Sequence, residues 1–195
     1  KKILEKISGE IFKNYKINKI SRSEDNVRLL TGNEYMNYEQ VVLASHADQS
    51  LNILDDPTEK EKEILSKFTY VYNKAFLHTD ENLMPSRKKA WSSWNSITKD
   101  KKTCVTYWLN KLQNLKTTKN YFLTLNPVEE IKENKIIKQE QFTHPYFNND
   151  NVNLQKDLHL LQGRKRTWFC GSYFGYGFHE DGLKSSIELI KNFKA

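Results

Sequence analysis

The chain has 195 residues, of which 37% are hydrophobic and 12% aromatic, and its formal net charge is +7. This length and composition fit one domain or two small lobes around a packed core, and they exclude a disordered chain. No apolar run approaches the roughly 20 residues of a membrane-spanning helix. Because Lys1 opens a polar helical pattern, in place of Met or an apolar signal region, we expect a cytoplasmic fragment without a signal peptide.

The positive charge leaves two interpretations open. Lysine supplies most of it, and the basic clusters are short, as in Arg164-Lys165-Arg166, with acidic residues interrupting the rest. This pattern favours a solvated lysine-rich surface that binds no nucleic acid. The alternative is a non-catalytic basic domain that binds a polyanion or an anionic surface.

The first 56 residues read as a short helix followed by strands. Apolar spacing predicts a helix over residues 1–8, ended by Gly9. The segments YKINKISRS, NVRLLTGN and EQVVLAS are typical of strands separated by turns. The apolar run Val41–Ala44 indicates a strand covered on both faces, as in a parallel sheet. A short helix over Asp48–Leu54 follows.

Residues 57–145 are predicted to be rich in strands. A helix begins at Thr58, which forms a capping box with Glu61, and runs to Phe68. After it come five strand-like segments: FTYVYNKAFLHT, AWSSWNSIT, TCVTYWLN, YFLTLNP and NKIIKQEQF. Their alternation predicts an antiparallel sheet with one covered face. Its aromatic residues belong to the core, or in part to an apolar cavity.

The last 50 residues alternate helix, strand and helix. The segment NVNLQKDLHLLQG is predicted to be helical, RTWFC to be a short strand, and DGLKSSIELIKNF to be a helix. In this final helix we expect three apolar residues to face inward: Leu183, Ile187 and Ile190. The two cysteines, Cys104 and Cys170, lie in aromatic strand-like segments and are predicted to be buried thiols.

Glycines are concentrated between the last strand and the last helix, at Gly171, Gly175, Gly177 and Gly182. Glycine lets backbone approach a ligand without a Cβ, and the amides of a helix's first turn bind electron-rich oxygens. The spacing GxxxGxG is neither the dinucleotide fingerprint nor the P-loop. The alternative is a tight strand–helix turn capped by Asp181, and spacing alone leaves both open.

The histidines do not form a metal signature. His179 and its two acidic neighbours are consecutive, so their side chains diverge. His46 and His78 each precede an aspartate by two residues, which hydrogen-bonded loop histidines explain as well as a metal site does. There is no GxSxG motif, and we name no catalytic residue.

Six segments occur in an order that resembles a known family: VVLASHADQSLNIL, LHTDENLMPSRKKAWSSWN, VTYWLNKLQNL, FLTLNP, THPYF and LQGRKRTWFCGSYFGYGFHEDGLKSS. The chain resembles the C-terminal half of a flavin-containing amine oxidase-like protein. That group is part of the FAD-dependent oxidoreductases that include monoamine oxidases, phytoene desaturases and protoporphyrinogen oxidases. The resemblance is in particular to a bacterial branch of predicted NAD/FAD-binding proteins.

The resemblance implies a mixed α/β fold and FAD as the cofactor. Residues 1–56 and 146–195 would form part of an FAD-binding lobe, and residues 57–145 an antiparallel-sheet substrate lobe. Amides of Gly182 and Leu183 would face the flavin ring. The other implied cofactor-binding residues are Gly171 and Ser172 near the ribityl–pyrophosphate, Ile17 at adenine, Ala44 at its strand end, and the loop and cap residues Gly177, Phe178, His179, Glu180 and Asp181.

The resemblance also implies a function, FAD-dependent oxidation of an organic substrate by hydride transfer to the flavin. The aromatic residues of segment 57–145 are the one feature that favours an apolar substrate. Peripheral contact with a membrane surface is a further possibility. Ser172 stands where many amine oxidases have an acidic residue, so amine oxidation itself is not predicted. The fingerprint GxGxxG lies upstream of these motifs in the family. We therefore expect a missing N-terminal segment of the same chain as a partner, and no activity without it.

Overall fold

A computed structural model describes residues 4–193. They divide into two compact units. The first unit comprises the described residues up to Thr69 and those from Pro145 onward, and the second comprises Tyr70–His144.

Strands and helices alternate with 3₁₀ turns along the chain. The strands are β1 (Ile17–Arg22), β2 (Val27–Thr31), β3 (Glu34–Tyr38), β4 (Val41–Leu43), β5 (Thr69–His78), β6 (Trp94–Lys99), β7 (Lys102–Trp108), β8 (Phe122–Leu125), β9 (Ile136–Tyr146) and β10 (Thr167–Phe169). The α-helices are α1 (Ala47–Ile53), α2 (Glu59–Leu65), α3 (Leu109–Leu112), α4 (Asn149–Leu154) and α5 (His179–Asn192). The 3₁₀ turns are Leu4–Lys6, Glu81–Leu83, Lys88–Ala90, Glu133–Lys135, Gln155–Leu161, Arg164–Arg166 and Ser172–Phe174.

The first unit contains two small sheets. Strands β1, β2 and β3 form an antiparallel meander, and β4 pairs in parallel with β10, with Val41 opposite Thr167 and Leu43 opposite Phe169. The parallel pairing joins segments more than 120 residues apart in sequence, so this unit forms only when its two chain segments meet. Strand β3 was not predicted, because its polar and aromatic residues lie mostly exposed and give no apolar alternation.

A buried ion pair ties three elements of this unit together. The Arg22 guanidinium at the end of β1 donates to both carboxylate oxygens of Glu61 on α2, at 2.6 and 2.9 Å, and to Thr167 Oγ1 on β10 at 3.2 Å. Burial acts to raise the pKa of Glu61, but hydrogen bonds from Arg22 and Thr58 to the carboxylate outweigh it. The pKa of Glu61 therefore lies below its ordinary value. Glu61 also completes the predicted capping box with Thr58.

The second unit is built on a five-stranded sheet in the order β6-β7-β8-β5-β9. The pairs β6–β7, β7–β8 and β5–β8 are antiparallel, which agrees with the sequence prediction for this region. One apolar cluster contains Leu83, Cys104 and Ile131, and another contains Met84, Trp91 and Phe122. Trp94 lies exposed beside Tyr107, so not every aromatic residue of this block is in the core.

Three expectations about packing are not met. In α5, Leu183, Ile187 and Ile190 are 54, 48 and 69% exposed, because the helix turns Ser185 and Leu189 inward. Val42 is 44% exposed, so β4 is not covered on both faces. The predicted first helix lies partly outside the described residues, and its described part is the 3₁₀ turn Leu4–Lys6.

Candidate functional site

The carboxyl ends of β4 and β10 lie side by side. The amide of Cys170 donates to Leu43 O at 3.1 Å, and a Cβ placed on Gly171 would lie 3.6 Å from Ser45 O. Ligands of parallel sheets bind beyond the carboxyl ends of the strands, so this is where a ligand is expected. The loop after β10 therefore begins close to the end of β4, in the lobe that the family resemblance assigns to both.

Three of the four clustered glycines are required by the folding of the loop itself. A Cβ at Gly175 would lie 2.5 Å from Asp181 Cγ, and one at Gly171 would lie 2.8 Å from the Tyr173 ring. Gly177 has φ of +90°, a conformation that other residues rarely adopt, and its Cβ would lie 3.2 Å from Phe147. The local explanation of the glycine cluster, a tight turn, therefore holds for these three positions.

Gly182 differs from the other glycines of the cluster. It lies in the first turn of α5, where a Cβ would meet Ser172 N at 3.7 Å, an ordinary contact. Glycine within a helix costs about 0.5–1 kcal/mol relative to alanine. Gly182 brings the first turn of α5 close to the backbone of Gly171 and Ser172, at a distance that would also admit a Cβ.

Asp181 holds the loop against the helix start. Its Oδ2 accepts hydrogen bonds from the amides of Tyr176 and Phe178, each at 3.0 Å. The amide of Gly182 donates to Phe178 O at 3.3 Å, within the helix. By helix geometry the amides of His179 and Glu180 precede the first intrahelical acceptor and point out of the helix along its axis. These two amides carry the positive end of the helix dipole toward the site.

Ser185 is a part of the site that the sequence analysis missed. Its Oγ accepts from the Gly171 amide at 2.9 Å and donates to Gly182 O at 2.7 Å, so it connects the end of β10 to the first turn of α5. A small polar residue in the second turn of an amphipathic helix was the available signal. Its partner could not be found from spacing, because the bond crosses from a helix to a strand.

The other predicted site residues lie in two places. Ser172 begins the 3₁₀ turn after Gly171, and Leu183 lies exposed on α5 next to Gly182. Ala44 is exposed directly after β4, at the same strand ends. Ile17 is half-buried at the start of β1 and belongs to the other sheet of the first unit.

The described residues hold no group of three or more His, Cys, Asp or Glu side chains that could bind a metal ion. Both cysteines are buried free thiols, as predicted. Across residues 4–193 there is also no helix with the length and apolar character needed to cross a bilayer.

The basic cluster Arg164-Lys165-Arg166 makes contacts within the first unit. Lys165 Nζ lies 2.7 Å from Asp56 Oδ2, and Arg164 Nε donates to Leu160 O at 2.9 Å. Arg166 donates to the backbone oxygens of Glu24 and Glu39. The cluster is therefore engaged with its own chain.

No protein family and no curated protein matches the chain, whereas solved structures do. A CLA-producing fatty acid isomerase from P. acnes is 15% identical, with a TM-score of 0.68 over 98% of this chain and 50% of its own. A triple mutant of putrescine oxidase, made to redesign cofactor binding, is 10% identical, with a TM-score of 0.66 over 98% of this chain and 51% of its own.

Cyclohexylamine oxidase from Brevibacterium oxydans IH-35A is 11% identical, with a TM-score of 0.59 over 91% of this chain and 48% of its own. The chain therefore has an amine oxidase-like, mixed α/β fold with antiparallel sheets, as predicted. It spans about half the length of the solved structures that it matches.

Proposed function

We propose that this chain is the part of an FAD-dependent oxidoreductase that contacts the flavin ring edge and lines the substrate side. One observation carries the proposal: two parallel strands end beside the start of α5, where the backbone of Gly182 lies against that of Gly171 and Ser172. The fold shared with about half the length of several oxidases supports a flavin as the ligand. Bound flavin would supply the chemistry by accepting a hydride from the substrate.

The residues at the strand ends fit such a group. The outward-pointing amides of His179 and Glu180 suit the electron-rich carbonyl edge of a flavin ring, and the amides of Gly182 and Leu183 are proposed to face the same edge. The positive helix end would stabilise negative charge on the ring. Gly171 and Ser172 lie where a ribityl chain would pass. Asp181 and Ser185 hold these elements in place.

The proposal extends to the rest of the protein. The pyrophosphate of FAD needs a glycine turn and helix terminus that the described elements do not supply, so a further dinucleotide-binding segment is the expected partner. Residues 57–145 are proposed as the substrate lobe, acting on a small organic substrate, and Ile17 as the adenine contact. We place the protein with the bacterial amine oxidase-like branch and in the cytoplasm.

An absorption spectrum tests this proposal. The protein that carries both this chain and a dinucleotide-binding segment should purify with flavin absorption bands at close to one FAD per chain. A colourless protein that also fails to take up added FAD would contradict the proposal.

The basic-domain alternative makes a separate prediction. It requires tight binding to duplex DNA that weakens steeply with added salt. Because the Arg164–Arg166 cluster is engaged with its own chain, we expect no such binding. Fluorescence anisotropy with a labelled duplex at low and high salt distinguishes the two functions.

A further inference from the structure

His78 is a fully buried histidine in the second unit with both ring nitrogens engaged. Nδ1 lies 3.1 Å from the Asp80 amide, and Nε2 lies 2.7 Å from Thr124 Oγ1. Because an amide N–H can only donate, Nδ1 is an acceptor and the ring proton of the neutral imidazole is on Nε2. The Thr124 hydroxyl is also hydrogen-bonded to Thr106 Oγ1, at 2.8 Å. Only a neutral imidazole can accept the hydrogen bond from the Asp80 amide at Nδ1.

Asp80, two residues along the chain, holds a separate segment in place. Its buried carboxylate accepts from the Lys132 amide at 3.0 Å and from Lys135 Nζ at 3.3 Å. The Thr79 amide also donates to Lys135 O at 3.0 Å. These bonds fix residues 131–135 against the end of β5.

The fixed segment forms one wall of a cavity of about 900 Å³ in the second unit. Ile131 and Glu133 line it from this segment, and Lys74, Phe76, Lys102 and Ile136 line it from the sheet. Release of the segment would therefore remove part of the cavity wall.

We propose that His78 and Asp80 form an acid-sensitive latch on residues 131–135. A proton from solvent that binds Nδ1 turns it into a donor facing the Asp80 N–H, and the existing bond is lost. The Asp80 carboxylate is the anion within reach of the new N–H. The carboxylate then binds the imidazolium and loses its hydrogen bonds from the Lys132 amide and Lys135 Nζ, which releases residues 131–135 from the sheet.

The charges around the ring set the pH range. Burial lowers the pKa of His78, the Asp80 carboxylate opposes this shift, and Lys135 adds to it. Phe122, Thr124 and Thr106, which face the ring from β8 and β7, are uncharged. Although burial acts to raise it, the pKa of Asp80 lies below its ordinary value because of the bonds from Lys132, Asn82 and Lys135.

The sign of the effect follows from these shifts. In the closed form burial lowers the pKa of His78, whereas in the open form the Asp80 carboxylate paired with the imidazolium raises it. Between these two values the open form binds more protons. The closed form is therefore favoured at high pH and becomes less stable relative to the open form as the pH falls through this range, by up to about tenfold per pH unit.

Hydrogen–deuterium exchange of residues 131–135 in the whole chain, corrected for intrinsic rates, tests the latch. From about pH 7.5 to about pH 5 we expect their protection to fall about tenfold or more, with little change in β7. His78→Gln should abolish this response, and Asp80→Asn should leave the segment open at every pH. His144→Gln, at the exposed histidine of the same unit, should keep the wild-type response. A response that survives in His78→Gln, or its absence in the wild type, overturns the proposal.

A measurement on the unmutated chain covers the case in which His78→Gln does not fold. Nitrogen NMR of the imidazoles should show the Nε2–H tautomer for His78 at neutral pH. The ring should titrate at the same pH at which residues 131–135 lose protection. The Nδ1–H tautomer, or titration at a different pH, refutes the latch.

Discussion

Arg22 and Glu61 form a buried ion pair whose two members depend on each other. Their side chains are 0 and 2% exposed, and the guanidinium also reaches Asp56 Oδ1 at 3.0 Å. Removing one member of such a pair leaves an uncompensated buried charge, which costs far more than losing an exposed pair. This pair positions β10, since Arg22 also donates to Thr167.

The first prediction concerns this pair. Arg22→Met should lower the free energy of unfolding by about 3–5 kcal/mol, because Glu61 is left buried and unpaired. Lys19→Met, which breaks the exposed ion pair with Asp55, should cost less than about 1 kcal/mol. Urea denaturation followed by tryptophan fluorescence measures both. Equal losses of unfolding free energy in the two variants would show that burial does not make the Arg22–Glu61 pair more important than an exposed pair.

The same pair predicts a pH dependence. The folded pKa of Glu61 is lowered, so its contribution to stability is complete above the unfolded value of about 4.3. It is lost as the pH falls through the folded value, because the unfolded state then binds the proton more readily. Urea midpoints measured from about pH 6 to pH 3 should fall more steeply for the wild type than for the double variant Arg22→Met/Glu61→Leu. Parallel curves would contradict this assignment.

At the scale of elements, one side chain joins the last strand to the last helix. Ser185→Ala leaves the Gly171 amide without its acceptor, which should cost about 1–3 kcal/mol. Ser186→Ala is the matched control, because Ser186 only donates to Gly182 O within its own helix, and it should change stability by less than about 0.5 kcal/mol. Thermal unfolding of the two variants compares them directly. Equal losses would show that Ser185 does not join β10 to α5.

The elements also show what sequence patterns can and cannot predict. The apolar run of β4 indicated a strand of a parallel sheet, and the family resemblance implied that β4 and β10 share a lobe. The pairing itself joins residues more than 120 apart, so local patterns could not predict it. The side of α5 that faces the core could not be predicted. Periodicity identifies an apolar stripe but not what covers it, and in the structure Leu189 is buried while Ile187 stays exposed. The sequence analysis identified Gly182 as a site residue. It missed Ser185, whose hydrogen bond to the Gly171 amide joins α5 to the end of β10.

At the scale of the whole molecule, the exposed apolar stripe of α5 defines a surface that favours association. Replacing Leu183, Ile187 and Ile190 together by serine should shift the chain toward the monomer in sedimentation velocity, because exposed apolar patches drive contacts between molecules. Ile137→Ser changes one exposed apolar residue of the second unit and should leave the distribution unchanged. Self-association that persists in the triple variant would place the contact elsewhere.

The proposed division of the cofactor site predicts that this chain alone binds FAD weakly. It holds the strand ends and the start of α5, but the pyrophosphate contacts belong to the proposed dinucleotide-binding segment. Losing contacts worth about 4 kcal/mol weakens binding about a thousandfold. Titration of the isolated chain with FAD, followed by flavin fluorescence, should give no saturable binding at micromolar concentration. A stoichiometric yellow complex would refute this division.

The most direct test of the flavin site compares two glycines in the protein that carries both segments. Gly182→Val places a branched side chain at the start of α5, where a Cβ makes only an ordinary contact with Ser172 N and the flavin ring edge is proposed to lie. Gly9→Val makes the same change at a position where a Cβ meets nothing within 4 Å. The measurement is FAD bound per chain, by absorbance after desalting. We predict that Gly182→Val loses most of its flavin with little loss of thermal stability, while Gly9→Val keeps wild-type flavin content. Unchanged flavin content in Gly182→Val would contradict the assignment of the α5 start to the cofactor.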